Sequence, residues 1–491
     1  MDQLKNHKFL KAALFILIII FLACTSQKGQ SDEIILAKIG KKEITKREFL
    51  NRSELTIRPG IFKGRETTLN NLICEKILAI EAEKYSQFLK NETLKGRLKG
   101  IKEQMMRDRL YEEEAFNKVR LDSQEIRNAY RLSMREYELE FYTMRDENLA
   151  QRIEAFLDSV PDVADDMFKE LETVLGKRPV HKVKYQDQDD VVIHESLFKN
   201  PVELGTVIGP LKLTNGEFIL MKVLNWVDYP IISGADQQNR LKEVEEKLHQ
   251  DKARKRWQSY LADMMNGKKL QFNEQSFKVI SDWAMESYTM TGANDSLNYQ
   301  LSEIPPIEPE INSDDPFFTI DNKLWTVGDF KKILVSHPLV YRSKNLNRDN
   351  FRKYFKLAIV DMMRDHYLTK AAYKKSLDDH EDIKKEMNIW KDAYLAEFQK
   401  NNIISTAIDQ GTITNDDKAG IQKYWESYVL DLQNKYGDSI KLNWDEFNKV
   451  TLTQIDYFAF RPGVPYPAAV PAFPSLIASE DLNYIKQENS L

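Results

Sequence analysis

The sequence predicts an α+β chain that is mostly helical, and three observations carry that expectation. Long stretches place apolar residues at helical spacing, and only a few short runs alternate with period two. A strand, tight turn and capped helix start at Ala37 to Leu50, "AKIGKKEITKREFL", returns near residue 320. The fold expected is a helical lobe with a small antiparallel α+β domain inserted in it, followed by a second, partial helical repeat.

Residues 1–23 read as an export signal. Lys5, Lys8 and Lys11 precede the run "AALFILIIIFLA", which is shorter than the roughly 20 apolar residues of a comfortable membrane span. "FLAC" and the polar stretch after it resemble a bacterial lipobox, with Phe21 where Leu is usual. Cys24 is therefore expected to carry the lipid, each buried CH₂ contributing ~0.8 kcal/mol to membrane binding; the alternative is an ordinary cleaved signal with an incidental cysteine. Residues 24–33 form a flexible linker.

Residues 34–136 are expected to form a helical module. After the opening strand and its Gly-Lys-Lys-Glu turn, Thr45 and Glu48 stand at capping-box spacing. Leu69, Leu72, Ile73, Ile77 and Ile80 mark one helix, and Leu94, Leu98, Ile101 and Met105 the next. Cys74, the second of two cysteines, lies in the first stripe and reads as a buried small hydrophobe. Ser123 is the expected N-cap of a helix beginning at Glu125 and Ile126.

Residues 137–229 form a different domain. Tyr137, Leu139, Phe141 and Thr143 alternate with acids in a strand; two helices, the strand "VHKVKY" and a short helix or loop follow. Asn215-Gly216 turns a closing hairpin. A long helix over 230–285 completes the lobe, with Leu241, Val244, Leu248, Trp257, Tyr260, Leu261 and Met264 as its inner stripe. Residues 286–315, rich in Pro, Asn, Ser and acids, are the expected linker.

The second module, 316–450, repeats the first. "IGKKEITKREF" aligns without gaps on "IDNKLWTVGDF", pairing Thr45 and Glu48 with Thr326 and Asp329, though Asp is the poorer capping-box partner. "LAIEA" (Leu78–Ala82) matches "LTKAA" (Leu368–Ala372), and "DRLYEEEAF" is echoed by "DAYLAEF". Residues 451–491 are read as a strand and a tail whose five prolines between Pro462 and Pro474 exclude a helix. Tyr466 and Phe473 of that tail would lie on a partner or in the protein's own groove.

Composition narrows the function. Acidic and basic residues nearly balance, for a net charge of −5, so no basic surface predicts nucleic acid. No phosphate loop, dinucleotide glycine pattern, His-Glu-x-x-His or paired cysteines are present, so neither cofactor nor metal is expected. Met and aromatic side chains on amphipathic helices adapt to varied partners at little cost. Met105, Met106, Tyr111, Trp257, Met264 and Met265 are the candidates for such binding, or they fill the helical core.

The order of these parts resembles the SurA/PrsA/PpiD family of periplasmic chaperones with a parvulin-type prolyl isomerase domain. The likeness covers residues 34–285, and a fainter copy of the helical part covers 316–445. It implies an ATP-independent holder of unfolded envelope or outer-membrane proteins, lipid-anchored on the periplasmic side of the envelope, most simply at the outer membrane. Active parvulins carry a histidine in the first strand and another after the glycine of the last hairpin; here Phe141 and Phe218 stand there, and the Gly-rich loop is missing. The resemblance therefore implies a degenerate isomerase pocket without catalytic residues. His181 and His194 read as surface or strand-edge residues. Two alternatives stay open: a dedicated lipoprotein subunit of an outer-membrane assembly or secretion machine, and an active peptidyl-prolyl isomerase.

Overall fold

A computed structural model describes residues 34–58, 64–85, 90–159, 164–176, 180–187, 190–290, 312–343, 345–453 and 459–477. It is mostly helical, with three small antiparallel sheets. The first segment runs β1 (Ile35–Ile39), β2 (Lys42–Thr45), α1 (Lys46–Glu54), α2 (Arg65–Glu83), α3 (Glu92–Glu114) and α4 (Ser123–Leu132). The sheet segment follows: β3 (Arg135–Met144), α5 (Glu147–Ser159), α6 (Ala164–Leu175), β4 (His181–Lys184), α7 (Val191–Phe198), β5 (Val207–Lys212) and β6 (Phe218–Asp228). The chain continues through α8 (Gly234–Met265), β7 (Gln271–Phe272) and α9 (Glu274–Met290) to β8 (Pro316–Ile320), β9 (Lys323–Thr326), α10 (Val327–Ser336) and α11 (Phe351–Lys374). It ends with α12 (Glu381–Asp409), α13 (Lys418–Tyr436), β10 (Ile440–Leu442) and α14 (Trp444–Phe447).

Two compact units result. The sheet unit spans Tyr111–Leu261; the larger unit takes the chain before it, to Leu110, and after it, from Ala262.

Within the larger unit the two hairpins are copies in register. Ile35 pairs with Thr45 and Pro316 with Thr326, each with an irregularity at the next pair. The amide of Lys46 donates to the Ile34 carbonyl at 2.8 Å, as that of Val327 does to Asp315 at 3.0 Å. Both threonines cap: Thr45 Oγ1 accepts from Glu48 N–H and Thr326 Oγ1 from Asp329 N–H. The reciprocal half of the box is closed by Asp329, the partner expected to be poorer. The Glu48 carboxylate instead meets Lys76 Nζ at 2.7 Å.

The third strand of each sheet comes from the other copy. β7, which follows the first copy, pairs with β8; β10, which ends the second, pairs with β1. These closing strands are themselves a repeat. "GKKLQFNEQSF" (267–277) and "GDSIKLNWDEF" (437–447) each place an Asn after the strand, where its amide donates to the facing strand and its side chain caps the next helix. The helices cross in the same way. α12 of the second copy packs along α2 of the first, and Arg107 of α3 reaches Thr369 of α11. One core gathers Phe49, Leu72 and Ile73 with Trp425 and Phe447; the other gathers Phe317, Phe318, Phe330 and Phe355 with Ile280.

Several expectations are corrected. Asp122, not Ser123, caps α4, because its carboxylate accepts the amides of Gln124 and Glu125. Leu241 on α8 is exposed, since only Val244 and Ala253 of that helix are fully enclosed. Helix α9 continues to Met290, past the expected start of the linker at 286. After residue 450 the described residues show one isolated bridge, Phe460 with Ala468, rather than a strand. The proline-rich tail lies on the protein itself: Tyr466 exchanges hydrogen bonds with Gln104 and donates its hydroxyl to the Ser336 carbonyl, and Asn71 accepts the amides of Leu476 and Ile477. Gly100 lets it approach, because a Cβ there would fall 2.0 Å from the Ser336 carbonyl oxygen and 2.3 Å from the Tyr466 hydroxyl. Cys74 is buried, as its stripe predicted.

A buried charge network ties the copies together. Arg52 forms a bidentate pair with Glu75 and donates to the Ala472 carbonyl. Asp392 of α12 lies between Lys42 Nζ, at 2.6 Å, and Lys76 Nζ, at 3.0 Å. Burial alone would lower the Lys76 pKa, but the carboxylates of Glu48, Asp392 and Glu75 outweigh it and raise it. Removing one partner strands the others in a dry site. Lys76→Met should therefore lower stability by about 3–5 kcal/mol, whereas Lys95→Ala, which breaks an exposed pair with Glu92, should stay within about 0.5 kcal/mol. Urea unfolding of the two variants tests this, and equal losses would refute it.

Candidate functional site

The sheet unit is built on the strand order β4-β3-β6-β5. Its strands bury side chains on both faces. Tyr137, Leu139, Ile219, Met221 and Val223 pack on one side with α4, α7 and α8; Tyr142 and Leu220 pack on the other with Ile153 of α5 and Phe168 of α6.

This arrangement separates the two phenylalanines expected to line one pocket. Phe141 sits opposite Met221, and Phe218 opposite Met144. Because side chains alternate along a strand, Phe141 and Met144, three residues apart, point to opposite faces. Phe141 packs against the His181 ring at 4.6 Å, whereas Phe218 lies beneath the Lys212 ammonium on the other face. The two rings therefore do not line one pocket: Phe141 packs against the core around Tyr137 and Leu139, and Phe218 lies on the opposite face.

The histidines do not supply a relay either. His181 is exposed on the edge strand β4, as a strand-edge reading requires. His194 differs from that reading. It is buried on α7 between Tyr185 and Phe198, with Nε2 3.1 Å from the Tyr185 carbonyl. Burial, and then Lys247, lower its pKa to about 4, so it is neutral at pH 7.

The candidate binding residues fall in three groups. Tyr111 and Trp257 come together, edge to face at 5.4 Å, and Trp257 stacks on Tyr260 at 5.1 Å. Phe116 adds to this cluster and carries the His249 ring at 4.3 Å. All five rings belong to the sheet unit, where Tyr111, Trp257, Tyr260 and Phe116 are half-buried and present ring surface to solvent. Met105, Met264 and Met265 are half-buried in the larger unit. Met106 is fully enclosed, which makes it a core residue rather than a contact for a partner. Cys24 lies outside the described residues.

Among the described residues no group of His, Cys, Asp and Glu could hold a metal, and no helix is long and apolar enough to cross a membrane. The larger unit also contains a cleft of about 350 Å³ lined by Lys99, Arg107, Lys323, Trp325, His337 and His366 with their neighbours. Sequence reasoning missed it, because its walls come from three segments far apart in the chain, none of which carries a recognisable motif.

No protein-family model matches the chain, and no curated protein matches it. Among solved structures it is similar to PrsA from Bacillus subtilis, at 18% identity over 46% of this chain and 93% of that one, with a TM-score of 0.15. At that score the likeness bears no weight for fold or function.

His194 gives the sheet unit a predicted acid sensitivity. Unfolded, its imidazole titrates near the ordinary ~6.5; folded, near 4, so between those values the unfolded chain holds the extra proton. The stability this group contributes above pH ~6.5 is lost as the pH falls toward 4. His194→Gln should flatten the fall of the unfolding midpoint across that interval, measured by thermal melts at successive pH. An unchanged slope would rule His194 out as a source.

Proposed function

We propose that the protein is an extracytoplasmic, ATP-independent chaperone of the SurA/PrsA/PpiD type, lipid-anchored through Cys24, that holds unfolded or assembling envelope proteins. The observation that carries this reading is the insertion. The chain leaves the larger helical unit at Leu110, builds a small antiparallel α+β unit, and re-enters the first at Ala262. A helical lobe interrupted by such a domain is the order of parts that those chaperones resemble.

Two further features support holding over catalysis. The half-buried rings of Tyr111, Phe116, Trp257 and Tyr260 offer aromatic surface to an apolar segment of a client. Prolyl isomerisation has to lower a barrier of about 20 kcal/mol in a pocket that desolvates the amide, and the expected histidine positions hold Phe141 and Phe218 on opposite faces of a packed sheet. The parvulin-like unit accordingly acts as a binding or spacing element. A dedicated subunit of an outer-membrane assembly machine is the second reading, favoured by the tail that hydrogen-bonds to both copies.

Suppression of aggregation of an unfolded outer-membrane protein, at stoichiometric amounts and without nucleotide, tests the proposal. Clear protection is expected, and the pair Tyr111→Ala with Trp257→Ala should weaken it severalfold while leaving the melting profile of the larger unit in place. No protection by the unaltered protein would move the reading to the dedicated subunit. A peptide assay of prolyl isomerisation should show no acceleration; measurable catalysis would overturn the inactive-domain reading.

A further inference from the structure

The two copies in the larger unit place the same polar positions in different circumstances. The gapless match of Ile39–Phe49 to Ile320–Phe330 sets Lys323 where Lys42 stands. The match of Leu78–Ala82 to Leu368–Ala372, carried back along the helix, sets His366 where Lys76 stands. Burial supports that alignment, since Leu69, Leu72 and Ile73 of α2 correspond to Ile359, Met362 and Met363 of α11, all enclosed.

In the first copy the two positions share a carboxylate, the side chain of Asp392. In the second, Lys323 and His366 face the cleft of about 350 Å³, and neither pairs with an acidic side chain among the described residues.

The cleft has a polar floor and a cationic rim. Arg107, Thr369 and His337 are buried at its base; Arg107 donates to Thr369 Oγ1, and His337 Nε2 lies 3.1 Å from Asp365. Two ring nitrogens there, His337 Nδ1 and His366 Nε2, are enclosed without a hydrogen-bond partner. Lys99, Lys323, Lys332 and Lys370 are exposed around the opening. Its two acids are already engaged: Glu103 accepts the Tyr373 hydroxyl, and Asp329 closes the capping box of α10. Burial first, and then Lys370, Lys323, His337 and Lys99, lower the His366 pKa to about 4, so the ring is neutral at pH 7. Neutral His366 in its Nε2–H tautomer is a donor. The volume lies at the low end of the roughly 300–1,000 Å³ of ligand sites, enough for one or two residues.

We propose that this cleft is a carboxylate-binding site, taking from outside the group that Asp392 supplies in the first copy. Lys323 and Lys370 pair with the carboxylate, His366 donates to it, and Trp325, Ile333 and Tyr373 flank the carbon chain that bears it. The carboxylate belongs to a peptide terminus or acidic side chain, or to a small dicarboxylate. The peptide source rests on the polypeptide-holding function proposed above; the site itself does not.

Isothermal titration of the purified protein separates these. The probes are an acetylated tetrapeptide ending in a free carboxylate, the same peptide as its C-terminal amide, succinate, and inorganic phosphate. The free acid or succinate should bind, the amide about tenfold more weakly or not at all, and Lys323→Ala with Lys370→Ala should cost about tenfold or more. Both lysines are exposed, so the melting temperature should hold. Binding of the peptide acid alone identifies a polypeptide ligand; equal binding of succinate identifies a small-molecule one. No binding at millimolar concentration, equal binding of acid and amide, binding of phosphate without either carboxylate, or an unchanged affinity in the double variant would overturn the site. Aggregation suppression by the double variant is read separately, so a failed holdase assay leaves this result standing.

Discussion

The exchange of closing strands between the two copies is the constraint on which the larger unit depends. A two-stranded hairpin is marginal by itself in water, and each copy makes only two strands before its helices begin. The third is delivered from the far end of the other copy, by Gln271–Phe272 in one sheet and Ile440–Leu442 in the other. With each delivery comes a phenylalanine: Phe277 reaches the core around Phe355, and Phe447 packs edge to face on Phe49. Neither core can close from its own copy alone. The crossing also explains why a whole domain can be inserted between Leu110 and Ala262. Loop-closure entropy grows only slowly with length, so a long excursion is tolerated provided that the returning chain brings β7 to β8.

A duplicated scaffold keeps its backbone rules more faithfully than its side-chain chemistry. The hairpin register, the cap on each first helix and the Asn after each closing strand are the same in both halves, because a strand-to-helix junction needs its orphan amides satisfied whatever the surroundings. The charged positions differ. Glu48 pairs with Lys76 instead of closing the cap, and Asp392 joins a network whose members are nearly all buried. In the second copy Asp329 closes the cap, His366 stands at the position of Lys76, and both Lys323 and His366 face a cleft. The first half thus closes its charges on one another, whereas the second leaves Lys323 and His366 facing a cleft.

This difference also marks what was legible in the sequence. The Thr45 and Thr326 caps, the Asn215-Gly216 hairpin and the repeat itself depend on neighbours within a few residues, and each could be read from spacing. Asp122 was missed only by one position, because Asp and Ser both cap. The closing strands were not read as such: two or three residues of alternation carry no periodic signal, and their match, Gly267–Phe277 to Gly437–Phe447, shows few identical side chains. The cleft was invisible for a different reason. Lys99, Lys323, His337 and His366 are ordinary residues on α3, on β9, at the end of α10 and on α11, and only the packing of these elements gathers them.

The phenylalanines of the sheet unit show how a correct alternation can still mislead. Alternation puts Phe141 and Phe218 each in a strand, and both are strand residues. Whether two strand residues share a pocket, however, depends on parity through the register, and the pairing of Phe218 with Met144 rather than with a residue of Phe141's parity decides it. Both faces of the β3–β6 pair are covered, one by α7 and α8, the other by α5 and α6. Any ring added to either face is therefore drawn into packing, and a proline ring entering at Phe141 or Phe218 would have to displace a packed side chain. Phe141 and Phe218 thus occupy opposite faces of one packed sheet. Substituting histidine at both positions would put the two imidazoles on opposite sides of the sheet, where they could not act on one amide.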